Sequence, residues 1–185
     1  MAKALVPLAE GFEDLEAVAV IDVLRRGGVE VTVASVHDGL AVKSAHGIEM
    51  KADALFSEVG QEAYDAIVLP GGGLGTENLK ACEELSERLR RQRDEGGLLC
   101  AICAAPTVLE AAGALKAGVH ATCYPSCQME LDRPWSPAAV VADSGVITGQ
   151  GPGSALLFAL VVLQHLSGET LAQRVARAMV SDVLS

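Results

Sequence analysis

Two hydrophobic periods alternate along the chain. Residues 3–8 form a short apolar run, Ala9-Glu10-Gly11-Phe12 turns, and from Glu13 the residues Leu15, Val18, Ala19 and Leu24 fall at helical spacing until Gly27-Gly28. Residues 29–34 then alternate and are rich in β-branched side chains, which predicts a second strand. Strand, helix, strand implies a parallel pair with a right-handed crossover. His46-Gly47 sits between two short alternating pieces, 41–44 and 48–51, and reads as a hairpin projecting from the sheet. Residues 64–70 predict another buried strand, ending in Gly71-Gly72-Gly73, and 77–95 predict one solvent-facing helix carrying Cys82. A strand over 98–102 runs into a helix over 104–112 closed by Gly113. A short strand over 119–123 precedes an irregular segment over 124–137, and strands over 139–142 and 146–148 flank a turn at Asp143-Ser144-Gly145. Gly149-Gln150-Gly151-Pro152-Gly153 leads into a very apolar helix over 154–166, Gly168 breaks it, and 169–184 predict a final amphipathic helix.

This alternation predicts an α/β fold, a three-layer sandwich around a mostly parallel sheet, as one domain over residues 1–185. Ligands in such sheets bind beyond the C-terminal ends of the strands, so the turns after Leu8, Leu69, Ile102 and Thr148 share one rim.

Composition narrows the function classes. Half of the residues are hydrophobic, yet every apolar run stops short of the ~20 residues a membrane span needs, so no membrane partner is expected. The first eight residues lack the apolar core and cleavage site of a signal peptide, which predicts a cytoplasmic address. A net charge of −10, spread along the chain, favours solubility and opposes direct binding to nucleic acid. Five cysteines, an odd number without an export signal, argue for thiols over a disulfide framework. The single Cys100-x-x-Cys103 lies among apolar neighbours, where the four convergent ligands of a zinc site are not available, so no metal is expected.

The chemistry centres on residues 97–106. An apolar strand delivers Cys103 to a tight turn, with Ala101 two positions before it and Ala105 two after. Small residues at that spacing are the steric requirement of a nucleophile elbow. A thiol there faces a helix N-terminus, which is expected to favour the thiolate. Gly71-Gly72-Gly73 offers backbone N–H groups free of Cβ atoms, suited to an oxyanion hole or simply to a tight turn. It lacks the Lys-Ser/Thr ending of a phosphate-binding loop. Glu13 and Asp14 suit the start of a helix by their charge. Glu16 falls one turn further in, beside the apolar face, where partial burial would raise its pKa and let it hydrogen-bond a thiolate or move protons.

Other candidates line the same rim: Gly71, Tyr124, His46, Gly151 and Pro152. His46 reads either as a rim residue or as a solvated loop histidine, and Tyr124 either as a hydroxyl donor or as a packed ring. His37, His120 and His165 carry no mark of a catalytic base. Cys123 and Cys127 are candidate resolving thiols for an oxidised Cys103.

Ala9-Glu10-Gly11-Phe12-Glu13-Asp14-Leu15-Glu16, Val68-Leu69-Pro70-Gly71-Gly72, Ala101-Ile102-Cys103-Ala104-Ala105-Pro106 and Gly151-Pro152-Gly153 together resemble the ThiJ/PfpI superfamily. Within it, the likeness is to the bacterial relatives of the Parkinson-disease protein deglycase, and it covers essentially the whole length. The resemblance implies a flavodoxin-like sandwich of the class I glutamine amidotransferase-like type, a homodimer, a reactive Cys103, Glu16 as its partner carboxylate and the glycine-loop amides near Gly72 beside them. On the logic of an activated nucleophile, the amides of Gly72 and Ala104 are expected to stabilise an oxyanion. It also implies cofactor-independent conversion of methylglyoxal or glyoxal to a hydroxy acid, repair of glycation adducts, or a redox-regulated chaperone whose cysteine becomes a sulfinic acid. Three departures stand out. Ala104 replaces the histidine of the protease-like branch, which argues against peptidase or amidase action. Tyr124 stands where some relatives carry a histidine. An arginine common in the hairpin is missing near Ala45 or His46.

Overall fold

The computed structural model describes residues 1–59 and 61–182. Nine strands and seven helices follow in the order β1 (Lys3–Leu8), α1 (Asp14–Arg26), β2 (Glu30–Ser35), β3 (Ala41–Lys43), β4 (Glu49–Lys51), β5 (Ala54–Leu55), α2 (Phe56–Val59), β6 (Ala66–Leu69), α3 (Gly73–Ala81), α4 (Glu83–Asp94), β7 (Leu98–Ile102), α5 (Pro106–Ala111), β8 (Val140–Asp143), β9 (Val146–Gly149), α6 (Ala155–Ser167) and α7 (Glu169–Ala178) among the described residues. A seven-stranded sheet runs β5-β2-β1-β6-β7-β9-β8, parallel except for β8, and β3 pairs with β4 in a separate hairpin. This is the flavodoxin-like α/β sandwich that the alternation of periods predicts.

The layers follow from strand alternation. Ala4, Val6 and Leu8 of β1 pack on one face with α1, α6 and α7, whereas Leu5 joins Ile67, Leu69 and Leu99 on the other with α3 to α5. Parallel strands covered on both faces need apolar residues at successive positions, which is why they read as continuous apolar runs. No helix among the described residues is long and apolar enough to cross a membrane.

Several elements differ from expectation. The predicted helix over 77–95 is two helices, broken at Cys82, whose backbone is extended at φ −85°, ψ 100°. Leu79 and Leu85 are both buried, and on a continuous helix they would point about 120° apart. The break turns both toward the sheet. The predicted strand over 119–123 reduces to one bridge between Ala121 and Trp135. Its neighbouring amides are satisfied by side chains instead: His120 N–H by Asp143 and Thr122 N–H by Thr148 Oγ1. The segment expected to be irregular contains a 3₁₀ helix, Pro125–Glu130. β5 and α2 are too short to show a period. The last helix ends at Ala178, and Val180 adopts a left-handed φ of 55°. The end of the predicted helix, Leu184, lies outside the described residues.

Candidate active site

The turns after β1, β6, β7 and β9 meet at Cys103. Its φ of 64° places a non-glycine residue in the left-handed region, a strained conformation. The elbow is held from both sides: Cys103 N–H donates to Gly149 O at 2.9 Å, and Tyr124 N–H donates to Cys103 O at 2.7 Å. Ala101 and Ala105 are fully buried, so small side chains do flank the turn. Cys103 itself is 8% exposed, leaving a narrow approach to its sulfur. The N–H groups of Gly72 and Ala104 both face that sulfur.

Glu16 reaches the sulfur from α1. Glu13 caps that helix, accepting the Glu16 N–H at 2.8 Å. The Glu16 side chain is fully buried, and its Oε2 accepts the Gly71 N–H at 2.7 Å. Oε1 is buried without a well-formed hydrogen bond, and the Cys103 thiol lies against the carboxyl. Burial pushes the Glu16 carboxyl up to about 7, against the pull of the Gly71 amide. The structure overturns the expected helix effect on Cys103. Helix α5 starts only at Pro106, and burial together with the Glu16 carboxylate pushes the thiol up to about 12, with the Gly72 and Ala104 amides opposing. Each of the two groups is among the causes of the other's shift.

The glycine loop makes this approach possible. A Cβ on Gly71 would lie 2.7 Å from Cys103 Cβ and 2.9 Å from Glu16 Oε2. Gly72 has φ 92°, and a Cβ there would sit 2.3 Å from Gly11 O. The loops after β1 and β6 therefore interlock, with Glu13 N–H donating to Gly71 O at 2.9 Å.

Other predicted positions fall around this centre. Tyr124 joins the elbow through its backbone, and its half-exposed ring lies over Gly151, next to Pro152. His46 sits on the hairpin tip, its side chain 71% exposed, with Nδ1 2.7 Å from Asp14 Oδ2. The bond to Asp14 raises the His46 pKa. Asp14 also accepts from Ser44 Oγ, and these two bonds outweigh burial to hold its carboxyl below the ordinary value. Nothing in the sequence marks the link from Asp14 to Ser44 and His46, because it joins residues some thirty positions apart. Glu13, Asp14 and His46 also come within metal-ligand reach of one another, but the Glu16 amide and Ser44 already occupy the carboxylates. Cys123 packs with Ala121, Leu131 and Trp135 in a cluster separate from the one containing Cys103, with Cys127 at its edge. His37 accepts the Glu10 N–H, His120 pairs with Asp143, and His165 bonds the Val161 carbonyl, all away from the thiol.

Comparison with known proteins gives one consistent picture. The family model described as DJ-1/PfpI family matches residues 2–165. The chain is 40% identical to Protein dj-1beta of Drosophila melanogaster, covering 95% of each sequence. It is 36% identical to a glutathione-independent glyoxalase, DJR-1.2, of Caenorhabditis elegans, over 86% of this chain and 85% of that one. It spans less than half the length of Protein DJ-1 homolog B of Arabidopsis thaliana, 41%, at 40% identity over 96% of this chain. Among solved structures, oxidized DJ-1 of Toxoplasma gondii superposes with a TM-score of 0.94 at 37% identity, covering 98% of this chain and 100% of that one. The chain belongs to the DJ-1/PfpI family.

Proposed function

We propose that this protein is a cysteine-dependent enzyme that converts small reactive aldehydes without a cofactor, in the manner of a glyoxalase or deglycase. The observation that carries the reading is the buried Glu16 carboxyl against the Cys103 thiol, with two amides at the sulfur. The name of the nematode relative supports it.

Removing one proton from the pair leaves the other shared between Glu16 and sulfur. In the reactive form Glu16 holds it, and the thiolate is stabilised by the Gly72 and Ala104 amides. The thiolate adds to the aldehyde carbon of methylglyoxal, and Glu16 protonates the resulting alkoxide to give a hemithioacetal. As a carboxylate, Glu16 then removes the hydrogen from that carbon and returns a proton to the neighbouring one through an enediol. The product is a thioester of lactate, which water hydrolyses to free acid and thiol. One carbon is oxidised and its neighbour reduced, so electrons balance within the substrate. Cys103→Ser is expected to abolish lactate production from methylglyoxal, and equal turnover by both proteins would overturn the reading.

The same donors favour a second reading, a redox sensor. Peroxide would oxidise Cys103 in two steps to a sulfinic acid whose oxygens the Gly72 and Ala104 amides and Glu16 would hold. Peptide mass analysis after mild peroxide should find two added oxygens on Cys103 ahead of the other cysteines. Uniform oxidation would count against it. A cytoplasmic homodimer belongs to the proposal as well. Leu15 and Val18 on α1 and Ile48 on the hairpin are exposed apolar side chains that a second copy would cover, and light scattering reads the state directly.

A further inference from the structure

A groove of about 340 Å³ borders the elbow, formed by Tyr124 and Pro125 on one side and Gln150, Gly151, Pro152 and Ser154 on the other. Both walls are tied to Cys103 by main chain: Tyr124 through its N–H, and the β9 end through the Gly149 carbonyl. The chain carries 38 acidic and basic residues by its counts of 24 and 14, yet no charged side chain lines this groove. Two of its polar side chains are already paired: Ser154 Oγ donates to Gly151 O at 2.9 Å, and Gln150 Nε2 donates to Pro137 O at 3.2 Å. What remains is the Tyr124 ring with its hydroxyl, two prolines and a bare stretch of backbone. Gly151 is extended at φ 170°, a conformation any residue adopts, so a side chain is absent there for no backbone reason. A Cβ would stand 3.4 Å from the Tyr124 ring, in ordinary contact, and a larger side chain would fill the groove.

We infer that this groove is the subsite for the substituent of the aldehyde and selects neutral, flat, apolar groups, so that the substrate class is aryl or alkyl 2-oxoaldehydes rather than charged ones. The inference rests on the proposed aldehyde chemistry at Cys103. An aromatic substituent would stack on Tyr124 while its carbonyls reach the sulfur. A carboxylate or phosphate in the same place would meet no cation among the lining side chains.

The test compares phenylglyoxal, converted with water to mandelate, with methylglyoxal, converted to lactate. Wild type should favour phenylglyoxal in kcat/KM, and Tyr124→Ala and Gly151→Val should each lower the phenylglyoxal to methylglyoxal ratio about tenfold, the scale of a lost apolar pocket contact. Circular dichroism and thermal melting confirm that both variants fold. An unchanged ratio in variants that still turn over methylglyoxal overturns the groove and leaves the aldehyde chemistry standing. If wild type converts neither aldehyde, that chemistry fails, and the groove is judged by binding. Saturation-transfer NMR of acetophenone with Cys103→Ser should then give a signal that Tyr124→Ala removes, and its absence overturns the groove too.

Discussion

The two edges of the sheet differ in what they hold. The larger cavity, about 620 Å³, opens at the N-terminal ends of β1, β6 and β7, among Ala2, Tyr64, Asp65, Gln92 and Leu98. Buried polar atoms without partners cluster behind it, on Arg88, Gln92 and Tyr64. No thiol lines it. The C-terminal edge has only a narrow approach to Cys103, but there a left-handed thiol, a buried carboxyl and two amides point at one spot. Volume alone does not mark chemistry in this fold. Convergent donors on strained backbone do, because the parallel strands all end there and their turns must meet.

The contrast breaks most readily at Glu16. Glu16→Gln keeps the volume and the contact to Gly71 but cannot move a proton, so methylglyoxal turnover should fall roughly 10²- to 10⁴-fold. A fall of less than tenfold would detach Glu16 from the chemistry. Next in size is Gly71→Ala. Its Cβ would collide with Cys103 Cβ and Glu16 Oε2, forcing the pair apart at a cost of roughly 1–3 kcal/mol in chemical denaturation. Turnover should fall with it.

A third effect reads the buried carboxyl through pH. Burial pushes the Glu16 carboxyl up to about 7 in the folded protein, from its ordinary 4.5 in the unfolded chain. Between those values the folded state holds the extra proton, so its stability falls as pH rises from 4.5 to 7. Wild type should lose melting temperature over that interval relative to Glu16→Gln, which has no such proton. Parallel curves would show that the carboxyl is not perturbed. The smallest effect belongs to the opposite edge. Arg88 is buried, with Nε lacking a hydrogen bond, Nη2 donating to Glu62 O at 3.2 Å and Nη1 3.8 Å from the Glu95 carboxylate, so Arg88→Met should leave turnover unchanged and cost stability about 1 kcal/mol. A loss of turnover there would erase the distinction between the edges.

Much of this was legible in the chain. Parallel strands buried on both faces appear as unbroken apolar runs, and Cys103 stands at the end of one between two alanines. Glu16 shows itself by sitting one turn inside a helix that needs only Glu13 and Asp14 at its start. Features that depend on distant partners were not legible. The break at Cys82 answers to the sheet beneath Leu79 and Leu85. The segment around Ala121 has strand-forming residues, but Thr148 and Asp143 take its amides. The helix N-terminus was expected to lower the Cys103 pKa, but burial and Glu16 raise it, and neither acts through local sequence. The link from Asp14 to His46 and the groove over Gly151 likewise arise only when separate turns meet.

The central claim is that Cys103 and Glu16 share a proton. The rate of Cys103 alkylation as a function of pH, in wild type and in Glu16→Gln, measures it most directly. Wild type should show two steps, one near the Glu16 value of about 7 and one far into the alkaline range. Glu16→Gln should show one. A single step at the same pH in both proteins would mean that Cys103 titrates without regard to Glu16, and would contradict the account.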